Sequence, residues 1–366
     1  MKWKEVLEIK NGKNQKDVAD INGCYPIYGS GGIIGYSKEY LCPAGTTIIG
    51  RKGTINSPLY VNEPFWNVDT AFGLIPSQQL VSKYLYYFCC YFNFKALDKS
   101  TTIPSLAKRD LENVEMPVPP LDEQSRIVAH IDELFSELDK AVDTLKTTKE
   151  QLAVYRQAVL KDAFSCLPET VKMDKIADMI DPQPSHRTPP EYKNGIPYIG
   201  IGDIDYQNKK INFEDARKVS PEVLDEHLYR YTIHKGDFVM GKIGTIGKPY
   251  KIPDEQNYAL SANVILIQPN KEKIYPEFLF WQFSSSLVTK QLTLGAKATS
   301  QPAFGIKKAR LLSIKICELE KQFKIIKRLE AEMSCCDNIE KTVDTALAQA
   351  DAMRQSILKQ AFEGKI

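Results

Sequence analysis

Residues 121–164 read LDEQSRIVAHIDELFSELDKAVDTLKTTKEQLAVYRQAVLKDAF, and the placing of their apolar letters decides the architecture. Ile131, Leu138, Leu145, Leu152 and Val159 recur every seven residues, with Leu134, Ala141, Thr148 and Tyr155 between them. This is a coiled-coil seam kept for about four heptads. At about 1.5 Å per residue the helix runs roughly 65 Å, and it cannot bury its seam without a partner of similar length. The partner lies in the same chain. Leu319, Gln322 and Ile325 stand 198 positions after Leu121, Gln124 and Ile127, and residues 353–362 stand 198 after residues 155–164. A constant offset leaves no insertion or deletion between the two segments, so their length is held while their letters drift. Ile339, Val343, Met353 and Ile357 supply the second helix's side of the seam. Pro119 and Pro120, tolerated in a first turn, and Asp122 and Glu123, favoured at the positive end of the dipole, mark the first helix start. The second copy has Cys317 and Glu318 there instead, which defines its start less sharply.

The segments before each helix also repeat. GTTIIGRKGTINSP (45–58) aligns with GDFVMGKIGTIGKP (236–249) at an offset of 191, sharing every glycine of the first copy, the Thr-Ile pair and the last proline. Upstream, YPIYG (25–29) resembles IPYIG (196–200) at 171, and residues 3–7 resemble 173–177 at 170. The offset therefore grows through the globular parts and then freezes. Loops have changed length; the helices have not.

These patterns predict an α+β fold: a domain over 1–118, a long helix over 119–165, a second related domain over 166–316 and a second long helix over 317–366. Each domain opens with a short amphipathic helix (3–9 and 173–180). β-branched and aromatic strands follow at 27–28, 47–49, 59–61 and 72–75, and at 198–201, 238–240 and 263–267. An aromatic helix comes next (82–92; 276–283), then a Thr/Ser-rich loop, then a strand leading into the long helix (114–118; 312–316).

Composition bounds the class. With 366 residues, 43% apolar and 26% charged, the chain suits two or three globular domains, and no apolar run is long enough to span a bilayer. The charged amino terminus is unlike a secretory signal. The eight cysteines lack metal or oxidoreductase spacing and read as reduced cytoplasmic thiols. A formal net charge of +2 conceals a division: +2 over 1–118 and +5 over 170–316, against −3 over 119–165 and −1 over 317–366. Basic domains on acidic helices are compatible with a polyanionic ligand.

Catalytic motifs fail on inspection. GDFVMGKI (236–243) matches GxxxxGK but carries Ile243 where a phosphate loop needs a hydroxyl, and it reads as a tight turn between strands. The glycines of 29–35 lack dinucleotide spacing, and neither Asp181-Pro182 nor Pro189-Pro190 completes an amino-methyltransferase motif. Pro253-Asp254 lacks the remainder of a nuclease site, and His130, His186, His227 and His234 are scattered. What remains are polar and basic residues at matching positions: Arg51, Lys52 and Thr54 against Lys242, Thr245 and Lys248 on the glycine-rich turn, and Thr101 and Thr102 against Ser300 and Gln301 on the Thr/Ser loop. With Tyr28, Ser30 and Tyr198 they are the candidate contacts to a ligand, because such groups can pair with phosphates and base edges. A hairpin turn with solvated charges is the competing reading of each. A protein- or carbohydrate-binding scaffold is the competing reading of the whole chain.

VPPLDEQSRIV (118–128), the heptad helix after it, and the RQxxLKxAF endings at Phe164 and Phe362 resemble the conserved regions of the specificity subunit of type I restriction-modification enzymes. The resemblance covers the whole chain. It implies two target-recognition domains held apart in pseudosymmetry by two helices packed as an antiparallel coiled coil, each domain reading half of a split, asymmetric target in double-stranded DNA. It implies two methyltransferase subunits as partners, which carry the S-adenosylmethionine, and restriction and translocation subunits joining that core. By the same resemblance the chain is non-catalytic, needs no cofactor or metal of its own and works in the cytoplasm.

Overall fold

The structure, a computed structural model, describes residues 1–296 and 303–365. It divides into two compact units, residues 1–147 with 343–366, and residues 148–342. Two helices, Leu121–Ser165 and Leu319–Phe362, each contribute to both units.

The first unit is built on an antiparallel sheet in the order Leu7–Asn11, Ala71–Pro76, Thr46–Gly50, Leu59–Val61. Strand Thr46–Gly50 is buried at every position, because alternate residues serve two cores. Ile49 joins Leu85 and Phe88 of helix Ser82–Tyr91, while Ile48 joins Phe65 and Val61 on the other face. A smaller sheet pairs Tyr25–Gly29 antiparallel with Gly32–Ser37 and parallel with Trp66–Asn67.

The second unit repeats this plan. Its sheet runs Ala177–Ile180, Val264–Pro269, Phe238–Gly241, Pro249–Lys251, again antiparallel throughout. Phe238 and Met240 face Phe278 and Phe283 of helix Pro276–Phe283, and Val239 faces Tyr258 and Ile199. Its smaller sheet pairs Ile196–Ile199 antiparallel with Lys218–Val219 and parallel with Ala259–Leu260. The two heads thus share one framework, with an additional hairpin, Ile204–Asp205 and Lys210–Ile211, in the second.

Three expectations need correction. The opening helices are a single turn followed by edge strands: helix Trp3–Val6 gives way to Leu7–Asn11, and the 3-10 turn Met173–Lys175 to Ala177–Ile180. In residues 3–9 the apolar Trp3, Val6, Leu7 and Ile9 fit both helical and strand spacing, and sheet pairing decides the outcome. The stretch 114–118 forms no ladder, only the bridge Lys2 to Glu115; its counterpart Ser313–Ile316 is a true strand on Glu169–Lys172. The glycine-rich turns are wider connections, residues 51–58 and 242–248.

Each unit packs one end of each long helix antiparallel. In the first, Ile131 and Phe135 share a core with Ile357, Leu358 and Ala361, and Arg354 pairs with Asp139 while lying 5.1 Å over the Phe135 ring. In the second, Val159 and Ala163 share a core with Ile326, Leu329 and Met333, and Arg156 reaches Asp337 at 2.8 Å and Glu340 at 3.0 Å. Arg156 and Arg354 are 198 apart, and so are Asp139 and Asp337, so each unit holds the same ion pair with the helices exchanged. Such part-exposed pairs contribute little stability, about 0–1 kcal/mol each, and act on register. The seam departs in part from the expected letters. Ile131, Leu138, Leu145, Leu152 and Val159 are buried or half-buried, and between them Leu134 and Thr148 are half-buried as expected, joined by Phe135, Val142, Lys149 and Arg156, whereas Ala141 and Tyr155 are exposed. On the second helix Val343 is buried and Ile357 half-buried, whereas Ile339 and Met353 are 41% and 55% exposed. Met333, Cys336 and Ala350 are buried there instead.

Phe164 and Phe362, the repeated helix ends, plug the heads: Phe164 packs edge-on to Phe278, and Phe362 against Tyr84, Phe88 and Tyr91. The helix starts are latched by a repeated glutamine. Gln124, fully buried, accepts from Val81 N–H at 2.8 Å and donates to the Gln79 and Pro119 carbonyls at 2.9 and 2.8 Å. Gln322 does the same with Tyr275, Lys273 and Cys317 at 3.0, 3.1 and 2.7 Å. Replacing either by alanine leaves a buried donor and two carbonyls unpaired, so an expected loss of about 3 kcal/mol appears in urea unfolding. Gln124→Ala that unfolds like wild type would show the latch to be idle.

Candidate nucleic-acid interface

In the first head the two candidate loops meet. Gly50 passes so close to the loop after it that a Cβ would stand 2.0 Å from the Thr54 carbonyl, and Gly53 takes φ of +79°. Gly241 and Gly244 repeat both features, with 1.7 Å to Thr245 and the same φ. Glycine is required at all four places, and it gives the two loops one shape. The loop of residues 51–58 is then stitched to the Thr/Ser loop: Leu106 N–H donates to Arg51 O at 2.9 Å, Gly53 N–H to Pro104 O at 2.9 Å, and Lys52 bridges Ser105. Asp98 shapes the Thr/Ser loop by accepting from Ser100 N–H, Ser100 Oγ and Ser105 N–H at 3.0, 2.6 and 3.1 Å. Those bonds, the Ser100 hydroxyl first, hold its carboxyl below the usual range.

The result is a surface on which Lys52, Thr54, Thr101 and Thr102 are all exposed. Arg51 is half-buried, donating to Asp69 O at 3.4 Å with its guanidinium 5.8 Å over Phe72. Tyr28 is half-buried edge-on to Phe65, and burial raises its hydroxyl pKa. Ser30 lies at the turn between Tyr25–Gly29 and Gly32–Ser37.

The second head keeps the stitching and changes the side chains. Phe304 N–H donates to Lys242 O at 2.9 Å, and Ile243 bridges Ala303. Thr245 and Lys248 are exposed, the latter with its ammonium 4.1 Å over the Tyr206 ring. Lys242, the counterpart of Arg51, is 7% exposed and held by Asp181 at 2.6 Å, so its charge is neutralised inside the fold rather than offered to a ligand. Tyr198 is also buried, its ring 6.5 Å from that of His227. Ser300 and Gln301 lie outside the described residues.

A polar cluster beside Lys242 was not legible as a unit. His227, fully buried, meets Gln183 Oε1 through Nε2 at 3.1 Å and the Tyr231 hydroxyl through Nδ1 at 2.7 Å. Since an amide oxygen only accepts, Nε2 carries the proton and Nδ1 accepts from Tyr231. Burial, with the Arg230 charge adding to it, pushes the imidazole down from 6.5 to about 4. The folded state refuses a proton that the unfolded chain accepts, so this contribution is complete above pH 6.5 and is lost as pH falls toward about 4. The expected result is a melting temperature of this unit that drops across that window, with His227→Gln flattening the drop. An unchanged pH profile in the variant would assign the acid sensitivity elsewhere. Gln183 lies 44 residues before His227, and only their shared burial, invisible in the letters, unites it with the His227–Tyr231 pair.

Among the described residues no helix is long and apolar enough to cross a membrane.

Comparison with known proteins places this geometry. A family model described as the type I restriction modification DNA specificity domain matches residues 1–152 and again 168–349. The type I restriction enzyme EcoBI specificity subunit of Escherichia coli is 25% identical over 349 residues, covering 87% of this chain and 73% of that subunit. The MjaVIII specificity subunit of Methanocaldococcus jannaschii is 25% identical over 345 residues, covering 88% and 76%. Among solved structures, a chain from a type I R-M system studied for complex assembly and conformational transition matches with a TM-score of 0.75 at 15% identity, covering 100% of this chain and 97% of that one. The HsdS subunit from Thermoanaerobacter tengcongensis gives 0.52 at 16% identity, covering 100% and 96%. At such identities the structural likeness speaks for the fold.

Proposed function

The chain belongs to the type I restriction-modification DNA specificity family, as a non-catalytic specificity subunit, and from that premise we propose that it reads a split, asymmetric duplex target, one half with each head. The observation that carries this is the glycine-rich loop that both heads build with one shape, residues 51–58 and 242–248, beside which the first head presents Lys52, Thr54, Thr101 and Thr102 and the second Thr245 and Lys248. One framework with different exposed donors reads two different short sequences. Phosphate contacts supply affinity, which therefore falls with salt, and groove contacts supply the choice of sequence.

The long helices carry the partners. Tyr155 and Met353, left out of the seam, are 52% and 55% exposed and 198 positions apart. Equivalent apolar residues facing outward suit two copies of one partner, and we assign them to two methyltransferase subunits. Beside Tyr155, Val154 and Ile339 are 71% and 41% exposed and extend the apolar surface. S-adenosylmethionine belongs to the methyltransferase subunits, restriction subunits join the core they form, and the complex works in the cytoplasm.

The test is competition gel shift of the complex with methyltransferase against duplexes of varied sequence. Retention of one bipartite sequence, weakening as salt rises, is the expected result. Binding and methylation indifferent to sequence would contradict it, and absence of duplex binding would point to a scaffold for other ligands.

A further inference from the structure

The loop of residues 181–190 in the second head has a root far better fixed than a surface connection needs. Asp181 holds Lys242 Nζ at 2.6 Å and accepts from Gln183 N–H at 3.3 Å. Gln183, 8% exposed, donates from Nε2 to Ser185 Oγ at 3.0 Å and to Arg187 O at 3.2 Å, while its Oε1 accepts from buried His227. His186 takes a left-handed φ of 54°, with Nδ1 3.4 Å from Lys242 Nζ. The chain reverses there and leaves Arg187 exposed, its backbone held from both sides by Ser185 and Gln183.

The neighbouring arginines are engaged. Arg217 Nε donates to Pro189 O at 3.2 Å, and Arg230 reaches Gln183 Oε1 at 3.4 Å. Among the described residues the Arg187 guanidinium has no hydrogen bond or ion pair. The loop stands next to the stitched surface, since Lys242 opens the connection that carries Thr245 and Lys248. The first head has no arginine in its corresponding stretch, residues 11–20.

A phosphate contact asks only for charge and tolerates a loose side chain. Reading a base edge asks for a planar fork on a fixed backbone. We propose that Arg187 is a base-reading residue of the second head, setting two N–H donors on O6 and N7 of a guanine in the second half-site. This rests on the DNA-specificity reading above.

The experiment measures binding of the complex with methyltransferase to duplexes varied one position at a time, for wild type, Arg187→Lys and Arg187→Ala. Both variants should lose about tenfold or more of the preference for guanine at one position of one half-site, with the other half unchanged. Arg187→Lys decides the matter, because it keeps the charge and removes the fork. Wild-type discrimination in Arg187→Lys at every position, whether Arg187→Ala weakens all sequences equally or none, would overturn the assignment. A wild-type complex without sequence preference would overturn the underlying reading instead, so the two failures are told apart.

Discussion

Four residues inserted after Leu145 in the first long helix alone should reduce target methylation by at least about tenfold, by putting the apolar layers and the ion pair at one end of the paired helices out of register. Asp139 and Arg156 lie 17 residues apart on that helix, and Asp337 and Arg354 lie 17 apart on the other. The insertion makes the first separation longer by one turn, about 6 Å, while the second stays as it was. Register held at Asp139–Arg354 then fails at Arg156–Asp337, together with the apolar layers on either side. A matched insertion after Val343 in the second helix should restore assembly, and the methylated target should carry a longer gap between its half-sites, by about two base-pair steps of 3.4 Å. Methylation positions in the double-insertion complex are the readout. Wild-type activity and gap in the single insertion would show that equal helix length is not required.

Exchanging residues 168–317 for the corresponding segment of a relative should replace one half of the target and leave the other intact. The cut points sit just outside the ladder that pairs Glu169–Lys172 with Ser313–Ile316. Cutting there keeps the strands that close the head on itself and leaves Gln322 to latch the new head to its helix. Affinity for the original sequence should fall by roughly 1–3 kcal/mol for each base pair that differs, and all of the change should lie on one side of the gap. A change in both halves would contradict independent heads.

The long helices were readable because two periodicities agreed: the heptad within each helix and the offset of 198 between them. The repeated glycines likewise announced a shared loop, since only glycine fits where Gly50 and Gly241 pass their own loops. The remainder failed for physical reasons. Seven-residue spacing located Ile131 to Val159 but could not tell that Tyr155 turns outward while Arg156 turns in to meet Asp337 and Glu340, a choice made by the partner helix. Lys242 looked like a ligand for phosphate because its letter carries a charge; the Asp181 that neutralises it is 61 residues away. Gln124 and Gln322 were visible as a repeat, but their role required knowing which carbonyls lay beside them.

Methylated positions mapped on genomic DNA treated with the complete complex test the central claim most directly. Two heads of one framework with different exposed side chains should yield a single asymmetric motif, two unlike short halves separated by a constant gap of indifferent bases. One uninterrupted motif, a gap of variable length, or methylation without a motif would contradict it.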